Sequence, residues 1–315
     1  MNVFTSIALN YLPKARILAD SLKKLHPEWK FHLLVSDRVP STMKYRVKFD
    51  EKLFDRIVWV EDLKINDLKS WIFKHTVVEL CTAVKGIFLQ QLVSEGADKI
   101  IYIDPDIVIF NDLIEIEKML DTHAILLTPH LINYSDNYQS IVENEIYGAM
   151  RHGIFNLGFI AINAQKDEGR QFAHWWEQRL LDFCYADYDK GLFTDQKWCD
   201  LIPSYFEDYH VIRDPGYNAA SWNLDTRQIS FSKEGKLLVN DKTPLYFYHF
   251  TGYDSGAGPQ VIDRLTKDGN DPVVKEIWDW YARELIKMGQ SELGGLSCAF
   301  DYFNNGEKIK PEMRL

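Results

Sequence analysis

Asp104 and Asp106 stand either side of Pro105 inside an otherwise apolar run, Lys99-Ile-Ile-Tyr-Ile-Asp-Pro-Asp-Ile-Val-Ile-Phe110. Side chains two apart in an extended segment point the same way, so the two carboxylates can converge on one cation. Pro105 fixes its own φ and biases Asp104 towards extended backbone. Hard oxygen donors of this kind suit Mg2+ or Mn2+ beside a diphosphate. Asp-Pro-Asp is equally good turn chemistry, and the spacing fits both readings. Further chain positions carry chemistry-bearing side chains. His249 ends the apolar run Leu245-Tyr-Phe-Tyr-His, where a lone histidine is more often structural than a ligand. Asp195 follows Thr194, which reads as a helix cap with Asp195 in the first turn. Asn156 and Gly158 form an Asn-x-Gly at the start of Phe155–Asn163, and Lys85 borders an apolar helical stripe, where a solvated surface lysine is the expected reading.

The elements that must position these residues alternate strand and helix. Val3–Ala8 reads as a strand, Pro13 opens a helix carrying Ala15, Leu18, Ala19 and Leu22, and Phe31–Ser36 is a second strand ending at Asp37. That is the length of a βαβ unit, without the G-x-G-x-x-G of an ordinary dinucleotide site. Ile57–Val60 is a short third strand, and a helix over Glu79–Ser94 presents Leu80, Val84, Ile87, Phe88 and Leu92. Asp104 then falls at a strand's C-terminal end, where open α/β sheets bind ligands, and this favours the cation reading. Asp112 reads as a cap for a short helix before the strand Ala124–Thr128. Residues 129–153 lack periodicity and read as an irregular insertion beside the site. Asp167–Phe183 is an aromatic-rich helix, residues 231–239 a hairpin turning at Glu234-Gly235, and 252–259 a flexible glycine-rich loop. Asp271-Pro272 caps and opens a final helix that ends at Gly289.

The 315 residues, 46% of them hydrophobic, supply ample core for one large domain or two ordinary ones. A formal charge of −10 argues against a protein that clamps nucleic acid by neutralising phosphates. Cys81, Cys184, Cys199 and Cys298 contain no C-x-x-C pair, which fits reduced thiols in a cytoplasmic protein and gives no zinc signature. No run of about 18 apolar residues suggests a membrane span, and the N-terminus enters a strand without a basic leader. The expected location is cytoplasmic, with peripheral attachment to the inner face of a membrane left open.

Taken in order, Asn10-Tyr11, Asp104-Pro-Asp106, Phe155-Asn-Leu-Gly158, Asp195-Gln196 and His249-Phe-Thr-Gly252 resemble GT-A glycosyltransferases, most closely the retaining family 8. The resemblance implies an α/β, Rossmann-like nucleotide-diphospho-sugar transferase fold, with a mixed, mostly parallel central sheet flanked by helices. It implies that Thr5, Ala8, Asn10, Tyr11, Asp37, Lys85, Asn156 and Gly252 contact the nucleotide-sugar donor. It also implies that Asp104, Asp106 and His249 hold Mn2+ or Mg2+, and that Asp195 and Gln196 act at the transferred sugar. One departure is that Tyr253-Asp-Ser-Gly-Ala-Gly258 lacks the lysine such proteins carry just after His-x-x-Gly. The expected activity is transfer of a hexose from a nucleotide-diphosphate sugar, a UDP-sugar first, to a glycan, lipid-linked or protein acceptor with retention. A sugar nucleotidylyltransferase and a noncatalytic sugar-binding scaffold are the competing readings. The expected domain spans residues 1–290, with 291–315 an extension leading to a further domain of a longer chain.

Overall fold

The computed structural model describes residues 1–40, 43, 47–266 and 272–314. A seven-stranded sheet runs in the order β3-β2-β1-β4-β7-β6-β8. Its strands are β1 (Asn2–Ile7), β2 (Lys30–Val35), β3 (Arg56–Trp59), β4 (Lys99–Ile103), β6 (Ile125–Pro129), β7 (Phe155–Asn163) and β8 (Tyr209–Val211). Strands β3, β2, β1 and β4 are mutually parallel, so their C-terminal ends share one edge. Strand β7 is antiparallel to both β4 and β6. The sheet is mixed and largely parallel, as the alternation of elements predicts.

Period-two alternation divides the core. Phe4, Leu34, Ile100 and Tyr102 face one layer, whereas Val3, Leu33, Ile101 and Ile103 face the other. Helices α3 (Val77–Ser94) and α6 (Asp167–Phe183) pack on the first face, and α1 (Leu12–Leu25) and α4 (Ile114–Thr122) lie on the second. A β-carbon on Gly86 of α3 would come within 3.0 Å of the Glu177 backbone, so glycine permits the close α3–α6 approach. By length and apolar composition α3 could cross a membrane, a feature the sequence reading missed, but its buried Leu80, Val84, Phe88 and Leu92 make it a core helix. Thr76 caps it through a capping box with Glu79, so it begins before the expected Glu79. Leu113, rather than Asp112, is the N-cap of α4; the Asp112 carboxylate accepts from the Ile114 amide at 3.4 Å.

The apolar run past Asp106 is not a continuation of β4. It is β5 (Ile107–Ile109), which leaves the main sheet and pairs antiparallel with β13 (Phe247–His249) in a second sheet completed by β9 (Ala219–Ala220). The expected hairpin is present as β10 (Ile229–Phe231) and β11 (Leu237–Val239), extended by β12 (Thr243–Pro244). A third apolar cluster forms behind β13, where Tyr248 and Phe250 pack on Trp278 and Tyr281 of the helix Pro272–Lys287. The expected cap at Asp271 lies outside the described residues.

Two local expectations are corrected. Residues 129–153 are irregular only in their first part, over 130–137; a helical turn at Tyr138–Ser140 then leads into a π-helix over Ile141–Met150. Wider π winding has no 3.6-residue repeat for a sequence pattern to reveal. The glycine-rich loop ends sooner than expected, because a helix occupies Ala257–Leu265. The C-terminal segment packs on the same body: Leu293 is buried, the Ala299 amide donates to Asp37 at 2.7 Å, and Arg314 donates to the carbonyls of Phe73 and His75 at 3.0 and 2.5 Å.

Candidate active site

Asp104-Pro-Asp106 is a turn and a carboxylate pair at once. The Asp104 amide donates to the Gly158 carbonyl at 2.8 Å, extending the β4–β7 ladder, and the Ile107 amide donates back to the Asp104 carbonyl at 3.1 Å. The chain then changes sheet, and in the new register His249 lies opposite Ile107 while the Phe250 amide donates to the Asp106 carbonyl at 2.8 Å. The junction of two sheets therefore brings together residues 104, 106 and 249.

Ligand atoms of Asp104, Asp106 and His249 all lie within 4.8 Å of one another. His249 Nε2 is 3.1 Å from Asp106 Oδ1 and 3.8 Å from Asp104 Oδ2. The other Asp104 oxygen is already secured, accepting from the Tyr102 hydroxyl and from Lys85 Nζ, the latter at 3.3 Å. That arrangement leaves Oδ2 turned towards the histidine. Gly158 makes the room: a β-carbon there would lie 2.6 Å from His249 Cε1 and 2.8 Å from its Nδ1. Two hard oxygens and one imidazole nitrogen in a cradle only glycine permits can hold a divalent cation. Burial disfavours both charges, yet the mutual field wins: His249 is shifted up by Asp106, and Asp106 is shifted down by His249 and, more weakly, by Lys14.

Lys85 is not on the surface. It is buried, with Nζ 2.8 Å from Asp195 Oδ2 and 4.0 Å from the Tyr102 ring centroid, and so bridges Asp195 and Asp104. Desolvation alone would lower its pKa, but the two carboxylates outweigh it and hold the ammonium protonated. The carboxyl of Asp195 is raised by burial, with Lys85 opposing. Thr194 is not a helix cap: its φ is +45°, residues 194–196 form a turn, and its hydroxyl donates to Asp195 Oδ1 at 3.1 Å. The left-handed residue aims Asp195 inward, with strain typical of functional sites.

The Gln196 amide accepts from the Leu157 amide at 3.0 Å and from Asn156 Nδ2 at 3.4 Å, and donates to the His152 carbonyl at 3.1 Å. Asn156 Oδ1 accepts from the Gly158 amide at 3.2 Å and from Asn218 Nδ2 at 3.0 Å. Its Nδ2 lies 3.2 Å from His130 Nε2, whose other nitrogen is 2.7 Å from the Gly153 carbonyl. Burial lowers His130 to about 4, so it is a neutral imidazole that accepts from Asn156.

Thr5, Ala8, Asn10 and Tyr11 lie on or just after β1, at the same edge as Asp104. Burial and then the charges of Asp106, Asp254 and Asp104 raise the Tyr11 hydroxyl, and Lys14 Nζ lies 3.5 Å from the Tyr11 ring centroid. Asp37 is buried and accepts from the amides of Leu9, Arg38 and Ala299, so its oxygens anchor the β1 loop and the C-terminal segment. Gly252 follows β13 with φ +73°, and a β-carbon there would meet the Gly258 amide at 2.9 Å. Sequence reasoning passed over Lys14, Tyr102, His130 and Asn218. Asn218 had a signal: it ends Asp-Pro-Gly-Tyr-Asn and adopts φ +57°, a conformation asparagine tolerates.

The sequence model of glycosyl transferase family 8 matches residues 2–201. Two uncharacterised proteins of Bacillus subtilis (strain 168), YfnD and YfnF, are each 26% identical over 253 residues; the match covers 79% of this chain and 76% and 80% of theirs. Among solved structures, the galactosyltransferase LgtC in complex with donor and acceptor sugar analogs superposes with a TM-score of 0.51 at 16% identity, covering 94% of this chain and 98% of that one. That likeness shows the fold, an α/β GT-A arrangement. The family match over more than half the chain, together with a site fit to hold a cation, identifies the protein as a glycosyltransferase using a nucleotide-sugar donor and a member of glycosyl transferase family 8.

Proposed function

We propose that this enzyme is a divalent-metal-dependent hexosyltransferase that moves a sugar from a nucleotide-diphosphate donor, a UDP-sugar first, to a glycan, lipid-linked or protein acceptor with retention. The observation that carries the reading is the convergence of Asp104, Asp106 and His249 beside the buried Lys85–Asp195 pair. Mn2+ or Mg2+ bound by the three ligands would act as a Lewis acid on the leaving diphosphate. Lys85 keeps Asp104 and Asp195 aimed. Asp195 places a buried carboxylate where positive charge develops at the anomeric carbon, a use of fixed electrostatics that gains strength away from water. Gln196 and Asn156 act as positioning residues, tying strand β7 to the Asp195 turn. Thr5, Ala8, Asn10 and Tyr11, with Asp37 behind them, form the nucleotide side, and Gly252 permits close approach of the phosphates.

For retention, the anomeric carbon–phosphate oxygen bond breaks and the acceptor oxygen bonds on the same face. The acceptor's proton passes to the departing phosphate oxygen. Membership in the family speaks against the nucleotidylyltransferase and scaffold readings. A cytoplasmic location peripheral to a membrane belongs to the same proposal, supported by exposed Tyr134, Tyr138, Tyr147 and Met150. Failure to co-sediment with anionic vesicles would remove the peripheral part.

The test is incubation with a panel of nucleotide sugars and Mn2+, followed by NMR of the product's anomeric proton. Donor hydrolysis or transfer with unchanged configuration is expected. An inverted product would refute retention, and inertness towards every donor, with acceptor extracts present, would refute the activity.

A further inference from the structure

We propose that Lys14 is the cation that receives the donor's sugar-bearing phosphate, and that in the donor-free protein Asp254 occupies it as a stand-in anion. The inference rests on the nucleotide-diphosphate reading above.

Lys14 is the third residue of α1, and its side chain is 1% exposed. A lysine there faces the positive end of the helix dipole and is stripped of water, two unfavourable terms that call for compensation. The compensation comes from two contacts. Nζ sits 3.5 Å from the Tyr11 ring centroid and donates to Asp254 Oδ2 at 2.5 Å. Tyr11 follows β1 at the edge that carries Asp104, and Asp254 lies five residues beyond His249, so the ammonium sits between two segments that border the candidate cation site.

Asp254 is an unequal partner. Its side chain is 32% exposed, and among the described residues its other oxygen accepts only from Gln290 Nε2, at 3.2 Å. It lies in a turn segment bounded by Gly252 and Gly256, with φ +73° and +76°, and residues 253–258 carry no cation of their own. Lys85, the other buried ammonium among the described residues, is committed to two carboxylates. Of the four carboxylates Asp104, Asp106, Asp195 and Asp254, the first three face Lys85, His249 and the candidate cation site, which leaves Asp254 as the counter-charge of Lys14. Exchanging Asp254 for phosphate removes one of the four to solvent and leaves the Lys14 charge neutralised. A bound anion and Asp254 therefore compete for one cation, which makes the 252–256 segment responsive to donor.

The test is calorimetric titration with Mn2+ and each of UDP, GDP, ADP, CDP and dTDP, the tightest wild-type binder being carried forward with its monophosphate. Losing a charge-assisted contact to phosphate corresponds to roughly 10- to 100-fold in affinity. Lys14→Met should weaken the diphosphate by that factor while changing the monophosphate less than about threefold, and Lys14→Arg should restore most of the loss. Asp254→Asn should tighten the diphosphate about 3- to 10-fold, because the competitor is gone. A salt bridge that merely holds the loop would instead lower the melting temperature alike in K14M and D254N and would move both nucleotides equally. Either unchanged diphosphate affinity in K14M, or weakening in D254N, overturns the proposal; if K14M does not fold, D254N decides. Wild-type protein that binds none of the five diphosphates refutes the donor reading itself.

Discussion

Gly158→Ala places one methyl group where the geometry leaves no room. The new β-carbon would lie 2.6 Å from His249 Cε1 and 2.8 Å from Asn156 Oδ1, distances that real β-carbons do not reach. The Gly158 carbonyl accepts from the Asp104 amide and its amide donates to Asn156 Oδ1, so the backbone at 158 is held and the imidazole must move by about 1 Å to regain ordinary contact. Overpacking of this kind costs about 1–3 kcal/mol. For a chain this long that is a fall in melting temperature of about 2–5 °C. The effect on the cation is sharper, because ligand distances tolerate only about 0.2 Å. Misplacing one of three protein ligands should weaken Mn2+ about 10- to 100-fold, the range seen when orienting residues behind a ligand are lost. Mn2+ electron paramagnetic resonance in the presence of nucleotide measures this directly, and Gly295→Ala, with nothing within 4 Å of its new β-carbon, serves as control. If Gly158→Ala binds Mn2+ within threefold of wild type, His249 is not a ligand and the site is misassigned.

The other predictions concern the groups around that cradle. Lys85→Met leaves Asp104 and Asp195 facing one another without their buried cation and should cost about 3–5 kcal/mol of stability, read by urea denaturation; a cost under about 1 kcal/mol would mean the pair is solvated. Gln196→Ala orphans the Leu157 amide and should cost about 1–3 kcal/mol, with turnover falling through loss of position; a turnover defect without loss of stability would show that the amide touches substrate instead. Burial lowers His32 and His130 to about 4, below the unfolded histidine value near 6.5. The unfolded chain therefore binds their protons first, and stability present above the unfolded value drains away as pH falls towards 4. Each should contribute a loss of up to about 2 kcal/mol between pH 7 and pH 5. Denaturation midpoints of wild type against His32→Asn and His130→Asn check this, and an unchanged pH slope in both variants would contradict it.

Much of the site was legible because it depends on local pattern. Apolar strands on either side of Asp104-Pro-Asp106, a second strand ending in His249 and the Asn-x-Gly of β7 are short-range features, and the structure brings all of them to one edge. What stayed hidden depends on distant partners. Lys85 looks like a boundary residue of an amphipathic helix, since nothing within α3 announces that Asp104 and Asp195 will meet it. The change of sheet after Asp106 was equally silent, because β5 is as apolar as the strand it appeared to continue. Thr194 misled in a different way: a threonine before an aspartate has the composition of a helix start, but its left-handed backbone is imposed by the fold. The π winding of Ile141–Met150 carries no 3.6-residue signal at all.

The account stands on one cation between Asp104, Asp106 and His249. Crystals grown with Mn2+ and the nucleoside diphosphate that binds most tightly, with data collected at the manganese absorption edge, address it without recourse to turnover. An anomalous peak within bonding distance of Asp104, Asp106 and His249 Nε2, absent in Asp106→Ala, is the predicted result. A nucleotide bound in the cleft with no peak at those residues, or with the peak elsewhere, would contradict it.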